Sequence, residues 1–219
     1  MIGIVHNVDQ RSAEWHALRC GKLTGTGAAD MIATLKSGKG EAAARRDLRL
    51  RLVVERLTRR ATDAGGFVSS DMQWGIDHEA DARRAYEALS GHVVHTDVGF
   101  VAHPELLAGC SPDGLVGDVG CVEIKCPKSA THLVALRARA VPVEYVPQCR
   151  HALWLTGARW CDFVSFDPRF PRALQLVVVR VTLSDTERAA WEITVRNFLD
   201  EVARELADVE QLLVAPVAA

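Results

Sequence analysis

A chain of 219 residues, 48% hydrophobic and 25% charged with a formal net charge of −2, can bury a full core as a single domain, and its total charge alone does not mark it as a nucleic-acid binder. No apolar run is long enough to cross a bilayer and no basic-then-apolar leader opens the sequence, so a cytoplasmic protein without a membrane partner is expected. Six cysteines without a Cys-x-x-Cys pair argue for reduced thiols and against a metal cluster. In chain order, Ser12 can cap a first helix carrying Trp15 and Leu18 and ending at Arg19 before Gly21. A second helix is predicted from Thr24 to Gly27 onward, through Ile32 and Leu35. Arg19 and Thr26 then flank a turn leading into a helix N-terminus, where backbone amides and a guanidinium can meet an anion; otherwise Arg19 is a surface arginine.

Lys36-Ser37-Gly38-Lys39-Gly40 reads as a basic loop, and its spacing is not that of a Walker phosphate loop. A long helix follows from about Glu41 to Arg60, then a Gly65-Gly66 break and a helix from Ser70 to Ser90. On the latter, Met72, Ile76, Glu79, Arg83 and Tyr86 recur at helical spacing; an ion pair from Glu79 to Arg83 one turn on is its plain structural reading. Strands are predicted over His92 to Phe100, Leu106 to Cys110 and Cys121 to Lys125, with connections short enough for antiparallel pairing. His78, His92 and His95 have no matching Cys/His set and read as ordinary polar positions. A helix from Ser129 to Ala140 precedes one begun by Pro147 and running to Gly157, with Tyr145, Gln148, Ala152 and Leu155 on one side. Strands Trp160 to Phe166 and Leu174 to Val181 and an acidic helix from Ser184 close the chain.

Charge is unevenly spread. Residues 36–60 hold nine bases against three acids, and residues 185–210 hold eight acids against three bases. The basic segment is either a local phosphate-binding surface or a solvated helix face.

The chemistry concentrates between Cys110 and Pro127. Ser111-Pro112-Asp113-Gly114 is a turn sequence, and Cys121-Val122-Glu123-Ile124-Lys125 alternates, so Val122 and Ile124 face one side of a strand while Glu123 and Lys125 share the other. Asp113 and Glu123 suit Mg²⁺, which accepts one or two carboxylates and keeps water and phosphate oxygens as its other ligands. Lys125 is placed to orient a water or to neutralise charge on a phosphoryl group. Taken singly, the first motif is a common turn and the second a common solvated strand face.

Asp113 followed by Glu123-x-Lys125 and Cys126-Pro127 resembles the PD-(D/E)XK motif as it occurs in the phage lambda exonuclease (YqaJ-like) family. The resemblance extends to Trp15-His16-x-Leu18-Arg19-x-Gly21, Trp74-Gly75 ahead of Glu79, and Tyr145-x-x-Gln148 leading to Trp154-x-Thr156, covering roughly residues 9 to 180. It implies an α/β, restriction-endonuclease-like fold with a mixed central sheet flanked by helices, in one domain: helices 9–90 on a nuclease core 91–183, then a helix 184–213. It implies Glu79 as an active-site helix carboxylate and Gln148 as an amide orienting water or substrate, where a buried structural amide is the alternative. Arg19, Thr26 and Ser111 would bind a terminal 5′-phosphate, with threonine where the family has serine. Lys36 would track the duplex backbone. Met72, one or two turns before Glu79, would unstack the end base pair, unless it packs in the core. The implied activity is Mg²⁺-dependent (Mn²⁺ substituting) 5′-to-3′ degradation of one strand of duplex DNA, leaving a 3′ overhang. The implied partners are DNA ends, two further copies in a homotrimeric ring, and a single-strand annealing protein, in a bacterial or phage-encoded system. An endonuclease of the same fold and a non-catalytic recombination scaffold are the competing readings; loss of Asp113, Glu123 or Lys125 would have marked the latter.

Overall fold

The computed structural model describes residues 3–62 and 69–212. The Gly65-Gly66 break and residue 213 of the last helix lie outside the described residues. Two four-stranded sheets stand where one central sheet is expected. The first has the order β1 (Ile4–His6), β3 (Phe100–Ala102), β4 (Ala108–Cys110), β2 (Leu23–Thr24); the second runs β5 (Gly114–Val116), β6 (Gly120–Lys125), β7 (Trp160–Phe166), β8 (Leu176–Val181). Both are mixed, since β2 pairs parallel to β4 and β6 parallel to β7 while the other neighbours are antiparallel. The chain passes from one sheet to the other between Cys110 and Gly114, so Ser111-Pro112-Asp113 is the junction.

The alternation of β6 is realised. Val122 and Ile124 pack with Val164 and Phe166 of β7 and with Ala82 and Tyr86 of α4 (Ser70–Ser90). Cys121 joins Phe163, Cys149 and Leu153 in the larger core on the opposite face, beneath α6 (Val146–Thr156). Glu123, with its side chain 2% exposed, faces that second side although it carries a charge, and needs a partner there. Helix α4 is fixed to the sheet by Tyr86, whose hydroxyl donates to Asp162 at 2.8 Å while Arg180 grips the same carboxylate. Glu79 lies seven residues, two turns, before Tyr86 and is positioned by that clamp.

Several elements differ from expectation for local reasons. The helix expected through Leu35 is only a 3-10 turn, Gly25–Gly27, and a single helical turn, α2 (Ala28–Met31). Leu23 and Thr24 are instead drawn into the first sheet beside β4. The strand expected over His92 to Phe100 begins only at Phe100; before it, His95 makes a lone bridge to Leu115. His92 stacks on Trp160 at 5.4 Å and His78 lies against Trp74 at 3.9 Å, which are packing roles. Helix α5 (Ser129–Ala138) stops before Ala140 because Arg139 takes the left-handed cap, φ 47°. Helix α1 (Ala13–Arg19) is capped by Ser12 as expected, and α7 (Asp185–Gln211) starts at Ser184 in a capping box with Glu187.

The charge asymmetry has a structural resolution. Helix α3 (Ala43–Thr58) packs on α7, and Arg45 makes a bidentate pair with Glu201 at 2.8 and 2.9 Å. Arg49 bonds Glu41 at 2.8 Å and also reaches Glu205. The basic and acidic segments meet through these two arginines, and Arg45 and Arg49 are not a free phosphate-binding face. Such partly exposed pairs fix the register of the two helices more than they stabilise the fold, each contributing up to about 1 kcal/mol.

Candidate active site

Asp113 sits at the junction between the sheets, its amide donating to the Val122 carbonyl at 3.2 Å and its Oδ2 accepting from the Ile124 amide at 2.6 Å. Burial and the nearby Glu123 and Glu79 carboxylates push it well above the usual carboxylate range, against the opposing pull of Lys125 and the Ile124 amide. Glu123 uses one oxygen, Oε1, to accept from Lys125 Nζ and from Gln148 Nε2, each at 2.5 Å. Lys125 keeps a quarter of its side chain exposed and lies 5.6 Å from the centre of the Tyr145 ring, which is itself stacked on Phe163. Burial disfavours its charge, but the Glu123 and Asp113 carboxylates more than compensate and raise its pKa, so it is a firm cation.

Gln148 is thus neither a loose surface amide nor a generic core one: α6 carries it to the carboxylate it steadies. The thiol of Cys126, next in sequence to Lys125, is pushed up to about 12 by burial and by Glu79, Asp113 and Asp167, so it stays protonated and supplies no thiolate.

Glu79 pairs with Arg11 at 3.6 Å rather than with Arg83. Together with Asp9, Gln10, Asp97 and Asp113 these two residues line a cavity of about 330 Å³. The loop between β1 and α1 closes this cavity, tied down by Gln10 Nε2 donating to the Pro112 carbonyl at 3.2 Å. Arg11 sits in the left-handed region, φ 71°, where a side-chain-bearing residue is uncommon. Sequence reasoning missed both Gln10 and Arg11; they precede the first helix in an aperiodic polar stretch, and no local pattern signals them.

Two of the three residues expected to bind a terminal phosphate, Arg19 and Ser111, meet at Trp15. Its indole N–H donates to Ser111 Oγ at 2.8 Å and to the Gly99 carbonyl at 3.1 Å, while the Arg19 guanidinium lies 4.0 Å over its ring. Trp15, read from the sequence as a helix-face residue and as part of the family motif but with no role of its own, is the piece that brings Arg19 and Ser111 together across nearly a hundred residues of chain. Thr26 is exposed and shares a hydrogen bond with Thr24 at 3.1 Å. Its turn is packed on the site, since a Cβ built on the neighbouring Gly25 would lie 3.4 Å from Gln148 Cγ and 4.0 Å from Cys110 Cβ. Lys36 is an exposed turn residue after α2 with no hydrogen bond or ion pair among the described residues, and the structure does not bring it to the site. Met72 is 57% exposed in the first turn of α4, so the core-packing reading fails. The adjacent Asp71 bonds Lys128 at 2.9 Å, just beyond the end of β6, which sets this turn near the carboxylates' strand.

Among the described residues no three His, Cys, Asp or Glu side chains form a ready-made metal cage. Two carboxylates are nonetheless what Mg²⁺ asks of a protein. The hydrogen bonds in place fall on Oδ2 of Asp113 and Oε1 of Glu123, which leaves Oδ1 and Oε2 for a cation, and the crowding that raises Asp113 is what a divalent cation would relieve. The donor set fits.

The chain is similar to an alkaline exonuclease (LHK-Exo) from Laribacter hongkongensis, at 34% identity over 93% of this chain and 98% of that one, with a TM-score of 0.82. The same enzyme solved in complex with dAMP superposes with a TM-score of 0.83 at the same identity and coverage. A phage related exonuclease from Haemophilus somnus 129PT, 13% identical over 86% of this chain and 96% of that one with a TM-score of 0.65, shares the fold. No curated protein matches the chain. Among the described residues no helix is long and apolar enough to cross a membrane. The YqaJ-like viral recombinase domain matches residues 14–159, which span Trp15, Arg19, Glu79, Asp113, Glu123, Lys125 and Gln148, and the chain belongs to that family.

Proposed function

We propose that this chain is a divalent-cation-dependent exonuclease that shortens one strand of duplex DNA from its 5′ end, releases mononucleotides and leaves a 3′ overhang for recombination. A DNA exonuclease is the reading supported by the family and by the similar alkaline exonuclease, whose complex holds dAMP, a mononucleotide. The observation that carries the chemistry is Glu123, buried and gripped through one oxygen by Lys125 and Gln148, beside Asp113 at the sheet junction.

Asp113 and Glu123 would hold the cation, Mg²⁺ or Mn²⁺, which when bound lowers the pKa of water and polarises a phosphoryl oxygen. Lys125, anchored by Glu123, places an ammonium where negative charge grows on the phosphate, which is worth most when the group is held before reaction. Gln148 fixes the Glu123 rotamer, and Glu79, held by Arg11, adds negative charge across the cavity from Asp113. Arg19 and Ser111, both set by Trp15, with Thr26 nearby, would take the terminal 5′-phosphate and so choose the strand. Exposed Met72 is available to wedge the end base pair, and Lys36 to meet the duplex backbone at a distance from the carboxylates.

Activity should appear with Mg²⁺ or Mn²⁺ and vanish with chelator, while Ca²⁺ should permit binding without turnover because it accepts looser oxygen geometry. Brisk cleavage in Ca²⁺, or undiminished cleavage in chelator, would refute the cation assignment. The reading extends to a cytoplasmic setting, which six free thiols suit, to a homotrimeric ring around the DNA, and to a single-strand annealing protein that receives the overhang. Light scattering should give three times the chain mass; a monomer at working concentration would remove the ring.

A further inference from the structure

A second, more basic cleft of about 830 Å³ adjoins the catalytic cavity, between α1, the Gly21 turn and the end of α3. Arg11 lines both, so the two spaces adjoin at this residue. His16, Lys22, Arg56, Arg59 and Arg60 line the cleft as well. Its one lining acid, Glu55, is 3% exposed and already spent on the Gly21 amide at 2.8 Å and on the Thr62 amide and hydroxyl at 3.1 and 2.6 Å. The cations therefore outnumber the anion by a wide margin in a recess, where a field is focused rather than dispersed.

Arg56 is the most telling of them. Its Nε donates to the Gly21 carbonyl at 2.9 Å, while its Nη2 is buried with no hydrogen-bond partner. A buried guanidinium nitrogen without a protein acceptor is costly, and in native proteins such a group is completed by an ordered water, an ion or a ligand. Burial alone lowers the Arg56 pKa, and burial is also the largest influence lowering that of Lys22. Arg59 ends α3 in the left-handed region, φ 57°, as Arg11 does before α1. Both bear long cationic side chains at backbone positions that glycine occupies more readily. Ala13, Ala17, Ala61 and Leu107 give the cleft an apolar wall beside these cations.

We infer that this cleft binds the phosphodiester backbone of a single DNA strand alongside the catalytic cavity, with Arg56, Arg59 and Arg60 as its phosphate contacts. The polymer's identity rests on the exonuclease reading above, whereas the anion chemistry rests on the cleft itself.

The test is the salt dependence of binding of a fluorescent single-stranded oligonucleotide, followed by anisotropy in chelator so that nothing is cut. Arg59 and Arg60 are exposed, and Arg59→Ala/Arg60→Ala should weaken binding several-fold near 0.1 M salt and make the slope of log K against log salt shallower by about 1.4, since each phosphate contact to a single strand contributes about 0.7. Arg59→Lys/Arg60→Lys should restore the slope. An unchanged slope in the alanine pair, or an equal loss in Arg137→Ala/Arg139→Ala on α5, would overturn the cleft. Displacement of the oligonucleotide by dAMP or inorganic phosphate at matched phosphate concentration would overturn it too, in favour of a pocket for a free product anion. Digestion of duplex by the unaltered protein is followed in parallel. Digestion with an unchanged slope defeats the cleft alone; a shallower slope in a protein that digests nothing supports the cleft and defeats the exonuclease reading.

Discussion

Glu123→Ala is expected to lower turnover on duplex ends by about 10³-fold or more with DNA binding retained, because the substitution removes a proposed cation ligand and the anchor of Lys125 in one step. Lys125 would lose its held position over Tyr145, and Gln148 would be left without its acceptor. Leaving such groups unpaired in a buried site costs about 1–3 kcal/mol each, so some loss of stability should accompany the loss of activity. Glu123→Gln separates the effects, since it keeps an oxygen for Lys125 but withdraws the charge a cation needs. It should be nearly as inactive as the alanine variant and closer to the parent in thermal midpoint. Near-parental turnover in either variant would show that the carboxylate is not at the chemistry.

The second large effect concerns strand choice. Arg19→Ala is expected to slow digestion of 5′-phosphorylated duplex by roughly 10–100-fold while hardly changing digestion of 5′-hydroxyl duplex, because hydrogen bonds to a charged group contribute about 1.5–3 kcal/mol and the hydroxyl end never makes them. Trp15→Phe should give a milder version: the aromatic face beneath Arg19 survives, but the N–H that holds Ser111 is gone. Equal rates of the parent protein on the two kinds of end would dispose of the phosphate pocket.

Much of this site can be read along the chain because its central pieces are close in sequence and sit on a strand of regular alternation. Asp113, Glu123 and Lys125 fall within a few turns of chain, and β6 keeps the two-residue period, so their convergence follows from strand geometry. Helices α4 and α6 are amphipathic enough to be delimited, Ser70–Ser90 from end to end, and they deliver Glu79 and Gln148. What stays hidden is set by long-range packing. Strands β1 and β2 have three and two residues, too few for any period to declare itself, and they exist because β3 and β4 offer edges to pair with. The partner of Glu79 is Arg11 rather than the helical neighbour Arg83, because the loop that closes the cavity overrides the local i,i+4 pairing. The basic stretch 36–60 suggests phosphate binding as a block, yet Arg45 and Arg49 belong to α7's carboxylates, and only the far end of α3, at Arg56, Arg59 and Arg60, opens on a basic recess.

Digestion of blunt duplex labelled at either the 5′ or the 3′ end, with and without Mg²⁺, is the most direct test of metal-dependent removal of nucleotides from the 5′-phosphorylated strand end. With Mg²⁺ only, the 5′ label should be released at once as a mononucleotide, while the 3′-labelled strand shortens progressively and keeps its label in the single-stranded product. Immediate release of the 3′ label, or internal fragments in place of mononucleotides, would contradict it.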